Sequence, residues 1–483
     1  MTGHSGYRFA GPRTWAISCI LGTLCGLALT ILMPPQFDEA GHPEVWLALV
    51  APFVLLLVLI ATMPLIHSRF WHAYFPDAAF FLGAIVVAYY AAGYGHHGRE
   101  QLLHAAQEYY AFIALVGGLY VASGGVLIDL RGQGRPWSNT VLLAVGALAA
   151  NLVGTTGASV LLIRPFIRFN RGRLRPMHVV LFIFIVSNCG GCLTPIGDPP
   201  LYLGYLKGVP FAWTLTHLPL NWLVTVVPLL ALFFAMDSYY RRAHSRRNVQ
   251  HTDAPEPQLY RRPHGLPMTL QGRTGIMCLV LIVLGVFIEP LLRRAGWTGH
   301  FPVGATFQII VAAVAYFASD RWLYRANEFS FFPVKEVGLL FLGIFATMVP
   351  ALAYLAAHGP ALNVRTPTQF YFLTGLLSAV LDNAPTYMNF LQLAVGDAEL
   401  TRETIGTRLL TGDGARLLAA ISTGAVFFGA MTYIGNGPNF MVRAIAESAG
   451  VRMPSFLGYL MRAGAVLLPV LVLHWWIAIV LRS

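Results

Sequence analysis

The sequence predicts an all-α polytopic membrane protein of about 11 transmembrane helices. Its plan is two inverted-topology repeats, each with a re-entrant hairpin and a broken helix. Three observations predict it. The chain is 56% hydrophobic and 11% charged over 483 residues, whereas a soluble domain is about 25% charged. Apolar runs long enough to cross a bilayer, which needs roughly 20 residues each, alternate with short loops that carry arginine. Two of these runs are interrupted by Gly, Pro and Asn or Asp in related patterns.

Taken in order, residues 1–40 hold an N-terminal tail and a first span, Trp15 to Met33. Arg8 and Arg13 precede it, but the run is long and no small-x-small cleavage site appears before Pro34 and Pro35, so it reads as an uncleaved helix with a cytoplasmic N-terminus. Residues 41–237 form the first repeat. It opens with spans at Trp46 to Ile66, Ala78 to Tyr94 and Tyr110 to Leu130. Residues 137–166 follow, apolar but flanked on both sides by arginines (Arg131 and Arg135; Arg164, Arg168 and Arg171). Basic flanks at both ends put both ends on one side. A re-entrant hairpin satisfies this, because two arms of roughly 14 residues each reach about 21 Å, past the bilayer middle without crossing.

A broken helix at 177–207 and a return span from Thr216 to Met236 complete the first repeat. Residues 238–273 are a basic, Pro- and His-containing linker with Arg241, Arg242, Arg246, Arg247, Arg261 and Arg262, expected in the cytoplasm. The second repeat, 274–483, runs in the opposite sense, with spans at Thr274 to Ile288, Phe301 to Ala318 and Val337 to Ala357. It continues with a hairpin at 368–395, a broken helix at 416–446 and a last span from Phe456 to Val480. This threading places most of the 32 Lys and Arg on the cytoplasmic side, as orientation by positive charge requires. The same distribution, in short loops rather than a soluble basic domain, assigns the net charge of +11 to topology and not to nucleic acid. Five cysteines without paired spacing give no disulfide framework.

The two breaks share a pattern. Thr194-Pro-Ile-Gly-Asp-Pro-Pro200 and Thr432-Tyr-Ile-Gly-Asn-Gly-Pro438 keep Thr, Ile, Gly, an Asp or Asn, and Pro in register. The offset is 432 − 194 = 238, and hairpin tips at Asn151 and Asn383 differ by a similar 232. Interrupted apolar segments at matching places in two halves mark the midplane site of a secondary transporter. Unwound backbone survives at membrane depth only when protein or a polar cavity satisfies its N–H and C=O groups.

On Ser187-Asn-Cys-Gly-Gly, Thr194-Pro-Ile-Gly-Asp-Pro-Pro200, Asp382-Asn-x-Pro385 and Gly435-Asn-Gly437, the sequence resembles the ion transporter superfamily. Within it the likeness is to NhaD-type Na+/H+ antiporters and their citrate-transporter-like relatives. That resemblance implies two inverted repeats of five spans and a hairpin, a homodimer with a scaffold domain, and elevator-type movement in a bacterial inner membrane. Where such antiporters often carry further acidic residues near the first hairpin, this chain has Asn151, Thr155 and Thr156.

A carboxylate near the bilayer centre costs at least about 2.5 to 3.5 kcal/mol on insertion scales and is a functional candidate by default. Asp198 and Asp382 are the two best placed. They are expected to share a cavity with the hydroxyls of Thr155, Thr156, Thr194 and Thr432, the amides of Asn151, Asn188, Asn383 and Asn436, and the freed backbone at Gly197 and Gly435. Oxygen-rich, anionic surroundings suit a hard cation, here Na+ on Asp198 and Asp382. Na+ and protons would then compete for one charge, which is enough for antiport and needs no cofactor beyond the transported ions. The bland alternatives are an N-cap role for Asp198 before Pro199 and Pro200, and a turn role for Asp382 before Pro385.

Other residues read more plainly. Cys189-Gly-Gly-Cys192 suggests small-residue helix packing. Asp129, Asp237 and Glu289 fall at predicted interfaces. His96, His97 and His104 fall in one outer loop, and Trp71, Trp475 and Trp476 read as interface anchors. No phosphate-binding loop, zinc-protease pattern or Ser/His/Asp arrangement stands out, so an enzyme is not expected. The rival function is cation-coupled transport of citrate or another small carboxylate or oxyanion. Half-helix N-termini after Pro200 and Pro438 would aim positive dipole ends at the cavity, against which stands the scarcity of Arg and Lys at the midplane.

Overall fold

The structure, a computed structural model, describes residues 9, 11–37, 43–130, 134–249, 268–297, 299 and 301–481. Among these, ten helices are long and apolar enough to cross a membrane. The chain is a multi-pass membrane protein.

The helix Pro136–Phe169 is 34 residues long and would span about 51 Å if straight. Instead its ends meet: Asn139 Nδ2 donates to Asn170 Oδ1 at 2.7 Å, and the Gly134 N–H to the Phe169 carbonyl at 2.7 Å. The reversal is at Gly154, whose φ of 75° belongs to the region that glycine enters without a Cβ penalty. The second hairpin joins Pro367–Val380 to Asn383–Val395 through Leu381 and Asp382, and the Phe370 and Phe390 rings meet across it at 6.2 Å.

The helix Pro219–Val249 orients the hairpins. Near its start, Asn221 contacts His474 at 2.8 Å, which reaches the Tyr371 hydroxyl near the base of the second hairpin at 3.0 Å. Further along, Asp237 accepts from Asn139 at the base of the first, at 2.8 Å. Asn221 and Asp237 are about 24 Å apart along a straight helix, so the hairpins enter from opposite faces.

The first broken helix consists of Pro176–Ile185, a tight turn at Cys189–Leu193, and Pro199–Lys207. The second consists of Gly412–Phe428, Gly429–Met431 and Gly437–Ser448. Prolines at the first helical positions restart each one, where a missing N–H costs nothing. The freed backbone is satisfied by side chains, as hydrocarbon demands: the Leu193 N–H donates to Asn151 Oδ1 at 2.7 Å.

Two bodies result, each drawing on both halves of the sequence. The helices Pro12–Leu32, Ala51–Ile66, Ser68–Gly93, Gly95–Gly124, Arg273–Gly285, Val303–Ala318 and Phe332–His358 pack on one another. The hairpins, broken helices, Pro219–Val249 and Phe456–His474 form the other body. Their seam is made by Gly95–Gly124 against the first hairpin and Pro199–Lys207, and by Phe332–His358 against Asn383–Val395. In the first body, Gly22 and Gly26 lie directly against the Phe81 and Ile85 carbonyls, the small-residue packing that brings membrane helices close.

Several expectations change. The spans expected from Ala78 and Tyr110 begin at Ser68 and Gly95. His96, His97 and His104 therefore sit exposed on a helix and not in a loop; a polar stretch projecting past the apolar zone looks like a loop by hydropathy. Trp71 is buried and packs on Phe75 at 5.9 Å, so it is no interface anchor, while Trp476 is exposed and Trp475 donates to Thr368 Oγ1 at 3.1 Å. Asp237 is fully buried, paired with Arg173 at 2.7 Å and with His178 at 3.1 Å. The span expected to end near Met236 continues to Val249, and Asp129 lies in the strand Leu127–Leu130, which pairs antiparallel with Met268–Gln271. Arg8, Arg131, Arg261, Arg262 and the middle of the basic linker lie outside the described residues.

Candidate functional site

The chain positions Asp198 at the restart of the first broken helix, in the N-cap place, with the extended backbone of a cap (φ −145°, ψ 146°). Its side chain makes no capping bond. It turns inward and is 1% exposed. Thr155 Oγ1 donates to its Oδ1 at 2.6 Å and Asn436 Nδ2 to the same oxygen at 3.0 Å, while Asn383 Nδ2 donates to Oδ2 at 2.7 Å. Four segments thus converge on one carboxylate: both hairpin tips and both breaks. The N-cap-only reading of Asp198 is overturned.

The network continues through amides. Asn436 Nδ2 also donates to Asn188 Oδ1 at 3.1 Å, Asn188 Nδ2 donates to Asn439 Oδ1 at 2.7 Å, and Asn439 Nδ2 reaches the Gly429 and Thr432 carbonyls at 2.8 and 2.9 Å. Close backbone approach makes this possible. A Cβ on Gly435 would lie 2.6 Å from the Gly429 carbonyl oxygen, and one on Gly197 would overlap the Gly191 carbonyl. Asp382 caps the helix Asn383–Val395 by accepting from the Ala384 N–H at 3.0 Å, so its turn role is real. It is also the residue directly before Asn383, whose amide holds Asp198.

Matched contacts relate the halves. The Thr155 N–H donates to the Gly197 carbonyl at 2.8 Å, as the Asn383 N–H does to Gly435 at 3.2 Å. Thr194 Oγ1 donates to the Asn151 carbonyl and Thr432 Oγ1 to that of Ala379, both at 2.6 Å. The breaks keep the offset of 238 (435 − 197). The tips do not keep 232: the counterpart of Asn383 is Thr155, at 383 − 155 = 228, and that of Asn151 is Ala379.

A family model described as putative citrate transport matches residues 42–479, a range that takes in both hairpins and both breaks. The chain belongs to this family. No curated protein matches it.

In this member of the citrate-transport family, the residues expected at the site separate into two groups. Asp198, Thr155, Asn383, Asn436 and Asn188 come together, with Gly197 and Gly435 supplying backbone. Asn151, Thr194 and Thr432 brace the breaks instead. Asn151 holds the Leu193 N–H and donates to the Gly190 carbonyl at 2.7 Å, and Thr432 Oγ1 accepts the Ile434 and Gly435 N–H groups at 3.2 and 3.1 Å. Thr156 lines a small cavity with Thr155, Asp198, Tyr202 and the seam residues Leu115 and Leu119. Its volume of about 20 Å³ suits one water-sized sphere. The residue missed is Asn439, three after Asn436; that helical spacing was the available signal. Cys189 and Cys192 are buried, and a Cβ on Gly190 would overlap Ala147, so this stretch packs tightly.

Two features decide what the arrangement can do. No Lys or Arg among the described residues is buried, so the donors around Asp198 are neutral. Asn383 Oδ1, 1% exposed as a residue, has no hydrogen-bond partner. A buried carboxylate, with an unpartnered amide oxygen on one of its donor residues, has the chemistry to take up a cation or a proton. No cluster of three His, Cys, Asp or Glu suited to a transition metal occurs among the described residues.

Proposed function

We propose that this transporter exchanges Na+ or Li+ for protons at Asp198, with Asp382 as the second carboxylate of the site. The observation that carries the reading is a buried carboxylate held only by neutral hydrogen bonds from three other segments. Such a charge at membrane depth is compensated by a proton or a metal ion. Ligands would come from Asp198, Thr155 Oγ1 and Asn383 Oδ1, oxygen donors of the kind that hard cations take. Loading either H+ or Na+ on one charge makes the two compete, and competition gives exchange.

The size of the cavity favours a bare ion over a tricarboxylate in this conformation. Pro199 and Pro200 also remove two N–H groups from the first half-helix terminus, weakening it as an anion cradle. The second reading, cation-coupled uptake of citrate or a similar carboxylate, is favoured by the family match; there Asp198 would hold the co-transported cation. We place the protein in a bacterial inner membrane with its N-terminus in the cytoplasm. It would work as a homodimer, with the hairpin body moving against the other, and without a cofactor.

The test is a pair of assays on one preparation. In everted vesicles with a pH-sensitive dye, Na+ or Li+ should dissipate a preset proton gradient, and radiolabelled citrate should not accumulate in proteoliposomes. Citrate uptake without cation-driven proton movement would replace the first reading by the second.

A further inference from the structure

A second cavity lies at the far end of the half-helix Pro199–Lys207, about 14 Å along it from Asp198. It is larger, about 470 Å³, and is lined by Gly208, Pro210, Pro290, Arg293, Arg294, Arg402, Gly406 and Leu410, a volume in the range of small-molecule sites. Its walls belong to both bodies. Pro290, Arg293 and Arg294 are on Ile288–Arg294, which follows a helix of the first body, and Arg402, Gly406 and Leu410 are on or beside Arg402–Leu409, which packs on the second hairpin.

Three exposed arginines line one cleft, where a multivalent anion would offset their mutual repulsion better than water and salt do. None forms an ion pair with a described carboxylate, whereas the neighbouring Lys207 is paired with Glu108 at 2.6 Å. Glu289, the acid on the same helix, faces Gly304, with its carboxyl carbon 3.8 Å from where a Cβ would stand; it is near enough to Arg293 to attract it through space but forms no ion pair with it. The floor is fixed. Gly208 has φ 122°, and a Cβ there would stand 2.6 Å from Arg402 Cα, so a side chain would displace Arg402. Guanidinium groups are the side chains best matched to paired oxygens of carboxylate and phosphate.

We propose that this cleft binds a polyanion, a ligand with two or more carboxylate or phosphate groups, across the two bodies. The site is separate from Asp198 and does not depend on which ion is exchanged there. Free polycarboxylates and phospholipid headgroups share this chemistry.

The full-length protein in phosphatidylcholine nanodiscs is titrated with citrate and with pyrophosphate by calorimetry, and separately placed in nanodiscs containing cardiolipin, with bound lipid read by native mass spectrometry. Arg402→Gln and Arg293→Gln/Arg294→Gln should weaken binding about ten-fold or more, and Asp198→Asn should leave it unchanged. Binding of the free anions identifies a soluble ligand, and retention of cardiolipin alone identifies a headgroup. Gly208→Ala, which keeps every charge, should also weaken it; a wild-type melting temperature and a single size-exclusion peak for each variant show that it is folded. No binding in either format, equal binding in the arginine variants, or loss with Asp198→Asn alone would overturn the proposal.

Discussion

At Asp198 three neutral donors do what a positive charge does in a soluble ion pair, and the difference is that they leave the net charge in place. Hydrogen bonds to a charged group contribute about 1.5–3 kcal/mol each. Thr155→Val removes one donor while keeping the shape, and should lower apparent cation affinity about ten-fold or more, read from the Na+ dependence of proton release. Asp382 separates two roles. Asn is as good an N-cap as Asp, so Asp382→Asn should keep the thermal stability of the wild type and abolish exchange, whereas Asp382→Ala should also lose about 1 kcal/mol; unchanged transport by Asp382→Asn would remove Asp382 from the site. Asp198 and Asn436 were legible because each stands in an interrupted apolar run, where a polar side chain has little other purpose. Asp237 was not, since a polar residue near a predicted helix end defaults to the interface, and its burial against Arg173 and His178 depends on chain contacts more than 50 residues apart.

The first hairpin was recognisable from its flanking arginines, and the second hairpin and the breaks from their Gly, Pro and Asp or Asn interruptions, but the turning points were not. Asn151 looked like a tip because it resembles Asn383; the chain turns one helical turn later, at Gly154, and Asn151 stays in the helix. A glycine among several is chosen by what it packs against, here the Ile196 carbonyl, and that is invisible before folding. The same logic predicts unequal tolerance. Gly197→Ala should cost about 3 kcal/mol or more or prevent folding, because its Cβ would overlap the Gly191 carbonyl. Gly437→Ala meets nothing within 4 Å and should leave the melting temperature of the purified protein unchanged. Equal melting temperatures for the two variants would contradict the tight crossing of the breaks.

Across the molecule, threading by positive charge gave the hairpins opposite entry, but it gave no sign that Leu127–Leu130 pairs with Met268–Gln271 at the end of the basic linker. Sequence order did not reveal the two bodies, because each takes helices from both halves and hydropathy carries no partner information. Ion pairs tie the bodies together on the two faces, Glu108 with Lys207 at 2.6 Å and Arg164 with Glu328 at 3.3 Å. If one body slides on the other, a bifunctional thiol linker between cysteines at 108 and 207, in a background freed of the five native cysteines, should stop transport until it is reduced. Full activity with the linker in place would mean that this seam does not move. The central claim concerns the charge itself, and the most direct measurement is flux through reconstituted Asp198→Asn beside the wild type. A folded variant that moves neither Na+, Li+ nor citrate is the predicted result; transport at the wild-type rate would contradict it.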